Sequence, residues 1–382
     1  MTMIRIRTSR LFDGDNFQDN KVMKIADGMI VGFDDNTANF DHQVQGLVVP
    51  GFIDLQINGG GGVLFNSTST LAGIKTIMAA HTKFGTTAML PTLITDSVEV
   101  MAKAADAIAS AIVNKEPGII GIHFEGPHLS VAKKGAHSAG FIRPITEQEW
   151  QILERKDIGK VLVTLAPETV SPKDIERMVT ANISVCLGHT NADFLQAQTA
   201  IDAGASGFTH LFNAMSPLQG RKPGVTGCAL MNDNAACGLI VDGHHVDYET
   251  CKLALKTKPA GKVFLVTDAM PPVGTDEQGF AFFDRHVYLN NGKLTSSTGE
   301  LAGSVLDMAT AVKNSHKKLN LSLAEALRMA TKYPADYINE SRRGQLQIGK
   351  QADFVVLNND LKVQSTWIAG QCCYKNEHVF EN

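Results

Sequence analysis

The chain has 382 residues, enough for two or three ordinary domains or for one α/β barrel of about 250 residues with a smaller companion. Its 35 basic and 39 acidic residues give a formal charge of −4 without long runs of one sign, which argues against nucleic acid as a partner. Hydrophobic residues make up 44% and charged residues 19%, which excludes a disordered, collagen-like or coiled-coil chain.

The N-terminal segment places Arg5, Arg7 and Arg10 among apolar residues and lacks the continuous apolar core of an export signal. No stretch approaches the roughly 18 consecutive apolar residues of a membrane span. The six cysteines show no CxxC spacing, so we expect reduced and mostly buried thiols. Together these features predict a cytoplasmic protein without a membrane partner.

Short strands open and close the chain. Turn signals such as Asp13-Gly14 and Asp27-Gly28 separate strands predicted at residues 3–8, 21–25, 29–33 and 45–49. The same pattern returns near the C-terminus, where strands are predicted at residues 353–357, 363–368 and 371–374. We therefore predict one small β-sandwich domain built from both chain ends, residues 1–50 plus 344–382.

The middle of the chain, residues 51–343, alternates short apolar runs with helix-like segments. The apolar runs suit parallel strands covered by helices and lie at residues 51–56, 87–94, 118–125, 161–167, 183–189, 207–212, 237–241 and 263–268. Helix starts are indicated at Thr146 with Glu149, at Ser171-Pro172, and at Ser322 with Glu325. Eight such units in about 290 residues predict a (β/α)8 TIM-type barrel rather than a doubly wound sheet.

Polar, metal-competent side chains stand at the C-terminal ends of these runs, where a barrel keeps its catalytic groups. Glu125, His189 and His210 lie towards the ends of the third, fifth and sixth runs. Two imidazoles and one carboxylate leave a coordination position open, as in a catalytic zinc site, although Fe²⁺, Co²⁺ or Mn²⁺ would also accept these ligands. Asp268, at the end of the eighth run, is the expected general base acting beside that metal.

Several motifs resemble one known family over nearly the whole chain. The motifs, in chain order, are PGFIDLQINGGGG, GIHFEGPHLS followed by KKGAH, TLAPE, LGHTNA, THLFNAM, IVDGHHVD, LVTDAM, ELAGSVLDM and GQLQIGKQADFVVL. They resemble the N-acetylglucosamine-6-phosphate deacetylases of the amidohydrolase superfamily. The resemblance implies a metal-dependent hydrolase that removes acetyl from N-acetyl-D-glucosamine 6-phosphate in amino-sugar catabolism.

The first barrel strand departs from the superfamily pattern. Most amidohydrolases carry His-x-His there, whereas this chain has Asp54-Leu55-Gln56. The departure resembles the branch that works with one tightly held metal per chain. Gln56 is then expected to ligate weakly or to hold a water in place of a second ion. The glycine-rich run that follows, Asn58-Gly59-Gly60-Gly61-Gly62, lacks a nucleotide-binding pattern and is expected to form a tight active-site loop.

The resemblance also implies roles outside the metal shell. His137 matches the residue that polarises the acetamide carbonyl, and His245 matches one that contacts the sugar. Arg221 matches the phosphate-binding arginine, which a neighbouring subunit can supply, so a homodimer is expected. Its planar guanidinium suits phosphate oxygens, and Asn213 with the backbone amide of Ala214 would add neutral donors.

Three alternatives stay open. The substrate could be the galactosamine epimer, because one inverted hydroxyl alters none of these motifs. The chain could instead be a non-catalytic sugar-phosphate-binding regulator on the same fold, although Glu125, His189, His210 and Asp268 are all present. A nucleobase or cyclic-amide hydrolase is disfavoured by the missing His-x-His and by Arg221.

Overall fold

The computed structural model describes residues 3–35, 39–283, 285–296 and 299–376. Four strands open the chain where the alternating pattern predicts them: β1 (Met3–Phe12), β2 (Phe17–Ala26), β3 (Met29–Asp35) and β4 (His42–Pro50). β1 pairs antiparallel with β2 and parallel with β4. Ile6, Val22 and Val48 are buried, which explains why these strands are held in place.

The first part of the barrel contains the buried strands and covering helices that the apolar runs predict. Its elements are β5 (Phe52–Ile57), the short hairpin strands β6 (Gly59–Gly60) and β7 (Val63–Leu64), α1 (Leu71–Thr82), β8 (Thr86–Ile94), α2 (Val98–Val113) and β9 (Gly121–Glu125). Every residue of β5, β8 and β9 is buried. Such strands need apolar contacts on both faces, as a barrel wall provides.

Five strand–helix alternations follow, with two short 3₁₀ turns (Val131–Lys133 and Ala139–Phe141) after β9. The elements are α3 (Glu147–Leu153), β10 (Lys160–Leu165), α4 (Pro172–Thr180), β11 (Ser184–Leu187), α5 (Phe194–Asp202), β12 (Gly207–Phe208), α6 (Gly224–Met231), β13 (Ala236–Leu239), α7 (Tyr248–Thr257) and β14 (Val263–Leu265). The predicted helix starts are confirmed, since Thr146 and Glu149 form a capping box and Ser171 caps α4.

The remaining elements are a small inserted sheet, three helices and the closing strands. They are β15 (Gly279–Phe282), β16 (Arg285–Asn290), β17 (Lys293–Ser296), α8 (Met308–Lys317), α9 (Leu323–Ala330), α10 (Lys332–Tyr337), β18 (Phe354–Leu357), β19 (Val363–Ile368) and β20 (Gln371–Lys375). The Ser322 side chain accepts a hydrogen bond from the Glu325 amide, so the third predicted helix start is confirmed too.

Eight strands form one parallel sheet in the order β14-β13-β12-β11-β10-β9-β8-β5. Ile57 at the end of β5 bridges in parallel to Ala269, just beyond β14, so the first and last strands approach each other. This arrangement confirms the predicted TIM-type barrel. The carboxyl ends of all eight strands consequently meet at one mouth.

Both chain ends share a second sheet, in the order β20-β19-β18-β4-β1-β2-β3. It has its own core, which includes Ile25, Val48, Phe354 and Trp367. β4 ends at Pro50 and β5 begins at Phe52, beside the boundary proposed between the two domains. Residues 1–2, 36–38 and 377–382 of the predicted small domain, and residues 284 and 297–298 of the predicted barrel domain, lie outside the described residues.

No helix in the described ranges has both the length and the apolarity needed to cross a membrane. Four of the six cysteines are buried, as the sequence predicts, while Cys372 and Cys373 are exposed in β20.

Candidate active site

Three predicted metal ligands meet at the barrel mouth. Glu125 ends β9, His189 lies two residues beyond β11, and His210 lies two residues beyond β12. The Glu125 Oε1 atom lies 3.2 Å from His189 Nε2 and 3.0 Å from His210 Nε2, and the two imidazole nitrogens are 3.0 Å apart. All three side chains are buried. One cation could therefore reach all three ligand atoms.

The hydrogen bonds around His189 support a metal. Its Nδ1 lies 3.0 Å from the carbonyl oxygen of Lys133, which can only accept, so Nδ1 carries the proton. In the neutral ring, Nε2 then directs a lone pair at the Glu125 carboxylate. Two electron-rich atoms at this distance repel each other unless a proton or a metal ion lies between them. An N–H held by a backbone carbonyl is also the usual support for a metal-ligating histidine.

The backbone at the strand ends is unusual. His189, His210 and Asp268 have φ values of 47°, 31° and 53°, in the left-handed region that non-glycine residues seldom adopt. Such backbone costs on the order of 1–3 kcal/mol per residue and concentrates at functional sites. The folded chain retains this strained backbone at three residues whose side chains face the barrel mouth.

Asp268 lies beside the triad with its carboxylate held by two amides. Its Oδ1 accepts hydrogen bonds from Asn58 Nδ2 at 2.6 Å and from Gln56 Nε2 at 3.3 Å. Burial, and secondly the charge of Glu125, raise the pKa of Asp268 to about 6. A carboxylate with a pKa near neutrality can both take up and release a proton at working pH.

Gln56 connects the two carboxylates of the site. Its Nε2 also donates to Glu125 Oε1 at 3.0 Å. The neighbouring Asp54 contacts the segment just after β14, where its carboxylate accepts a 2.5 Å hydrogen bond from the Thr267 hydroxyl. Burial raises the pKa of Asp54 to about 7. The expectation that Gln56 ligates weakly or through a water stays a prediction.

His137 approaches the triad from the segment after β9, and its ring centroid is 4.2 Å from that of His189. Its Nδ1 lies 2.8 Å from the Thr95 hydroxyl. Burial lowers the pKa of His137 well below its usual value, so the ring is neutral. Nδ1 also accepts the Thr95 backbone N–H at 3.4 Å, so the proton of the neutral ring lies on Nε2, where it can point at a ligand.

A cavity of about 420 Å³ opens above these groups. Its walls contain most of the predicted site residues: Glu125, His189, His210, Asp268, His137, Asn213, Ala214 and His245. The volume suits a small metabolite. Two predicted residues do not line it. Gln56 lies beneath the cavity, where it donates to Glu125 and Asp268, and Arg221 lies in an exposed loop and lines a different cavity of about 570 Å³ beside the start of α5.

Four residues to which the sequence assigned no individual role also belong to the site, and one of them, Asn58, begins the glycine-rich run expected to form an active-site loop. Asn58 holds Asp268, and Thr95 holds His137. Glu300 and Leu301, beyond the inserted sheet, line the cavity wall. Asn58 and Thr95 directly follow the barrel strands β5 and β8, and for Thr95 this position was the one available signal.

Comparisons with known proteins agree with this geometry. The amidohydrolase family model matches residues 47–373. An N-acetylgalactosamine-6-phosphate deacetylase of Shewanella sp. (strain ANA-3) is 48% identical over 95% of this chain and 94% of its own length. An N-acetylglucosamine-6-phosphate deacetylase of Haemophilus influenzae is 35% identical over 84% of this chain and 85% of its own.

A solved structure extends the likeness to the fold. The crystal structure of N-acetylglucosamine-6-phosphate deacetylase from Pasteurella multocida superimposes with a TM-score of 0.94 at 35% identity, over 98% of this chain and 100% of that one. A barrel with a Glu–His–His cluster and an aspartate at its mouth defines a metal-dependent hydrolase, and the chain belongs to the amidohydrolase family. Within it, the chain groups with the N-acetylglucosamine- and N-acetylgalactosamine-6-phosphate deacetylases.

Proposed function

We propose that the chain removes the acetyl group from N-acetyl-D-glucosamine 6-phosphate and releases D-glucosamine 6-phosphate and acetate. The observation that carries this proposal is the Glu125–His189–His210 cluster beside Asp268 in a cavity of metabolite size. We place the reaction in the cytoplasm, as a step of amino-sugar catabolism.

Glu125, His189 and His210 would hold one divalent ion per chain. Zn²⁺ suits one carboxylate and two imidazoles with an open position, and Fe²⁺, Co²⁺ or Mn²⁺ suit the same ligands. When bound there, the ion supplies Lewis-acid polarisation and lowers the pKa of a water molecule. A single ion is expected, because Asp54 and Gln56 stand where the two histidines that support a second ion would be needed.

Asp268 and His137 divide the proton transfer and the charge stabilisation. Asp268 takes a proton from the attacking water and passes it to the amine that leaves, and its place beside the ligand cluster at the cavity wall supports both steps. His137 donates from Nε2 to the acetamide oxygen, whose negative charge grows in the transition state. Being neutral and oriented by Thr95, it needs no rearrangement to do so.

The far end of the cavity would bind the sugar phosphate through His245, Asn213 and the amide of Ala214. Arg221 would bind the 6-phosphate across a homodimer interface. Its exposed position outside the cavity that holds the metal ligands supports a role in a neighbouring subunit's site. Its guanidinium can form two parallel hydrogen bonds with phosphate oxygens.

The galactosamine epimer is the second candidate substrate. The 48% identity to the Shewanella N-acetylgalactosamine-6-phosphate deacetylase favours it. The two sugars differ in the orientation of one hydroxyl, and the acetamide chemistry is the same. The assignments of Glu125, His189, His210 and Asp268 therefore apply to either substrate.

Acetate release and metal content test the proposal together. Purified protein would be assayed with N-acetylglucosamine 6-phosphate, N-acetylgalactosamine 6-phosphate and both unphosphorylated sugars, and its metals would be measured in parallel. We expect about one metal per chain and the highest kcat/KM for the glucosamine 6-phosphate derivative. A higher kcat/KM for the epimer would reassign the substrate. A metal-loaded protein that binds these sugars but releases no acetate would be the non-catalytic regulator.

Variants of the three ligands test the metal site itself. Glu125→Gln, His189→Ala and His210→Ala should each lower both metal content and turnover, because three ligands are few for tight binding. Full metal occupancy in all three variants would contradict the assignment.

A further inference from the structure

The first and last strands of the barrel meet at a seam beside the proposed general base. β5 and β14 are the two end strands of the eight-stranded sheet. Just beyond β14, the Asp268 N–H donates to the Gln56 carbonyl oxygen at 2.9 Å, and Ile57 bridges to Ala269. Backbone contacts across the seam therefore hold Asp268 from one side.

Asp54 joins the same two strands through its side chain, which is fully buried. Its Oδ2 accepts a hydrogen bond from the Thr267 hydroxyl at 2.5 Å. Its Oδ1 accepts the backbone N–H groups of Gln56 at 3.1 Å and of Thr267 at 3.4 Å. One carboxylate thus holds residues on both sides of the seam, and the hydroxyl contact is the shortest of the three.

Both residues that Asp54 holds are neighbours of groups in the site. Thr267 directly precedes Asp268, whose φ of 53° lies in the left-handed region. Such a backbone persists where the surrounding contacts over-determine it. Gln56 donates from Nε2 to Glu125 Oε1 and to Asp268 Oδ1. Asp54 itself does not line the substrate cavity, so it can affect the reaction only through these neighbours.

We propose that Asp54 is a positioning residue that holds the Asp268 carboxylate in place beside the metal ligands, through Thr267 and Gln56. The inference rests on the proposed function for the role of Asp268 as general base. Asp54 acts through its shape and its three hydrogen bonds, and not through its charge.

Two substitutions of Asp54 separate position from charge. In Asp54→Asn, the amide oxygen can accept both backbone N–H groups, and the NH₂ group can donate to the Thr267 hydroxyl. That hydroxyl can then donate to the Gln56 carbonyl oxygen, which lies 3.5 Å away. We expect kcat within about fivefold of wild type, because the contacts are kept. Asp54→Leu removes all three contacts, and kcat should fall about 10- to 100-fold, as for a displacement of about 1 Å in a reacting group.

Thr267→Val tests the same contact from the other side of the seam. It replaces the hydroxyl with a methyl group of similar size and should lower kcat about 5- to 50-fold, because the backbone N–H contact remains. Thr86→Val is the matched control. Thr86 is buried in β8 opposite Phe52 of β5, and its hydroxyl has no hydrogen-bond partner within the described residues. Its kcat should stay within about twofold of wild type.

Three measurements on each protein distinguish positioning from general support of the fold. Steady-state acetate release should show the loss in kcat with KM within about threefold of wild type. Metal content should be unchanged, because neither Asp54 nor Thr267 belongs to the ligand cluster. Crystal structures of the metal-loaded proteins should show that the contact between Asp268 Oδ1 and Asn58 Nδ2, 2.6 Å in the wild type, is longer in Asp54→Leu and Thr267→Val.

The possible results support or overturn the proposal. An Asp54→Asn protein as slow as Asp54→Leu would overturn it in favour of an effect of charge. Loss of metal from Thr267→Val would overturn it in favour of general support of the site. Unchanged kcat and an unmoved Asp268 in Thr267→Val would overturn it even if Asp54→Leu failed to fold. A wild type that releases no acetate would refute the proposed function, whereas displacement of Asp268 in the variant crystals would still support the positioning role of Asp54.

Discussion

Replacing Asp268 by asparagine should remove the general base and leave the site otherwise in place. Asn58 and Gln56 both donate to Asp268 Oδ1, so the amide oxygen of the new side chain can take that position and keep both hydrogen bonds. The NH₂ group then occupies the position of Oδ2, where it cannot accept a proton. Turnover should fall by about 10²- to 10⁴-fold, or roughly 3 to 5 kcal/mol in activation free energy.

The assay is acetate release at saturating substrate, with metal content measured on the same samples. Metal content should stay close to that of the wild type, because Asp268 is not one of the three clustered ligands. His189→Ala serves as the comparison, since it should lose both metal and turnover. Wild-type turnover in a metal-loaded Asp268→Asn protein would assign the proton transfer to another group.

Three further predictions concern binding and stability. Arg221→Ala should raise KM for the phosphorylated sugar and hardly change hydrolysis of the unphosphorylated one. If the arginine acts across subunits, mixing the Arg221→Ala and His189→Ala proteins should restore some activity. Mixed dimers that stay inactive would refute the action across subunits. Lys258 donates to three backbone carbonyls, so Lys258→Met should cost about 3 kcal/mol of unfolding free energy, against less than about 0.5 for Lys256→Met, whose side chain is exposed; equal urea midpoints would contradict this. Burial lowers the pKa of His81 to about 4, so its protonation favours the unfolded state and the free energy of unfolding falls as the pH drops from about 6.5 towards 4. Between pH 7 and 4.5, His81→Gln should lose about 2 kcal/mol less unfolding free energy than the wild type. Identical losses in the two proteins would exclude His81 as a source of the acid destabilisation.

The barrel could be predicted because its physical signals are local. Eight apolar runs mark strands buried on both faces, and capping residues such as Ser171 mark helix starts. The inserted sheet β15–β17 was not predicted, although one signal was present. Asn291-Gly292 lies between alternating residues, and its φ values of 51° and 78° are those of a type I′ hairpin turn.

The site was only partly predictable for a different reason. Polar groups at strand ends point to the mouth whatever the loops do, so Glu125 and His210 follow from strand position alone. The contact between Thr95 and His137 spans 42 residues and depends on how a long segment folds back over β8. No periodicity in the sequence encodes that path. The position of Arg221 relative to a second subunit is equally absent from one chain.

The pairing of β4 with β18 has a consequence for how the protein is made. Pro50 lies opposite Phe354, so about 300 residues separate the two partners along the chain. At roughly 5–20 residues per second, a ribosome needs about 15 to 60 seconds to synthesise that interval. During this time β4 has an unpaired edge, which is a known site for aberrant strand pairing. The sheet shared by the two chain ends can therefore be completed only after the barrel has been translated. Premature termination after the catalytic residues would leave an aggregation-prone edge on β4 beside an otherwise complete active site.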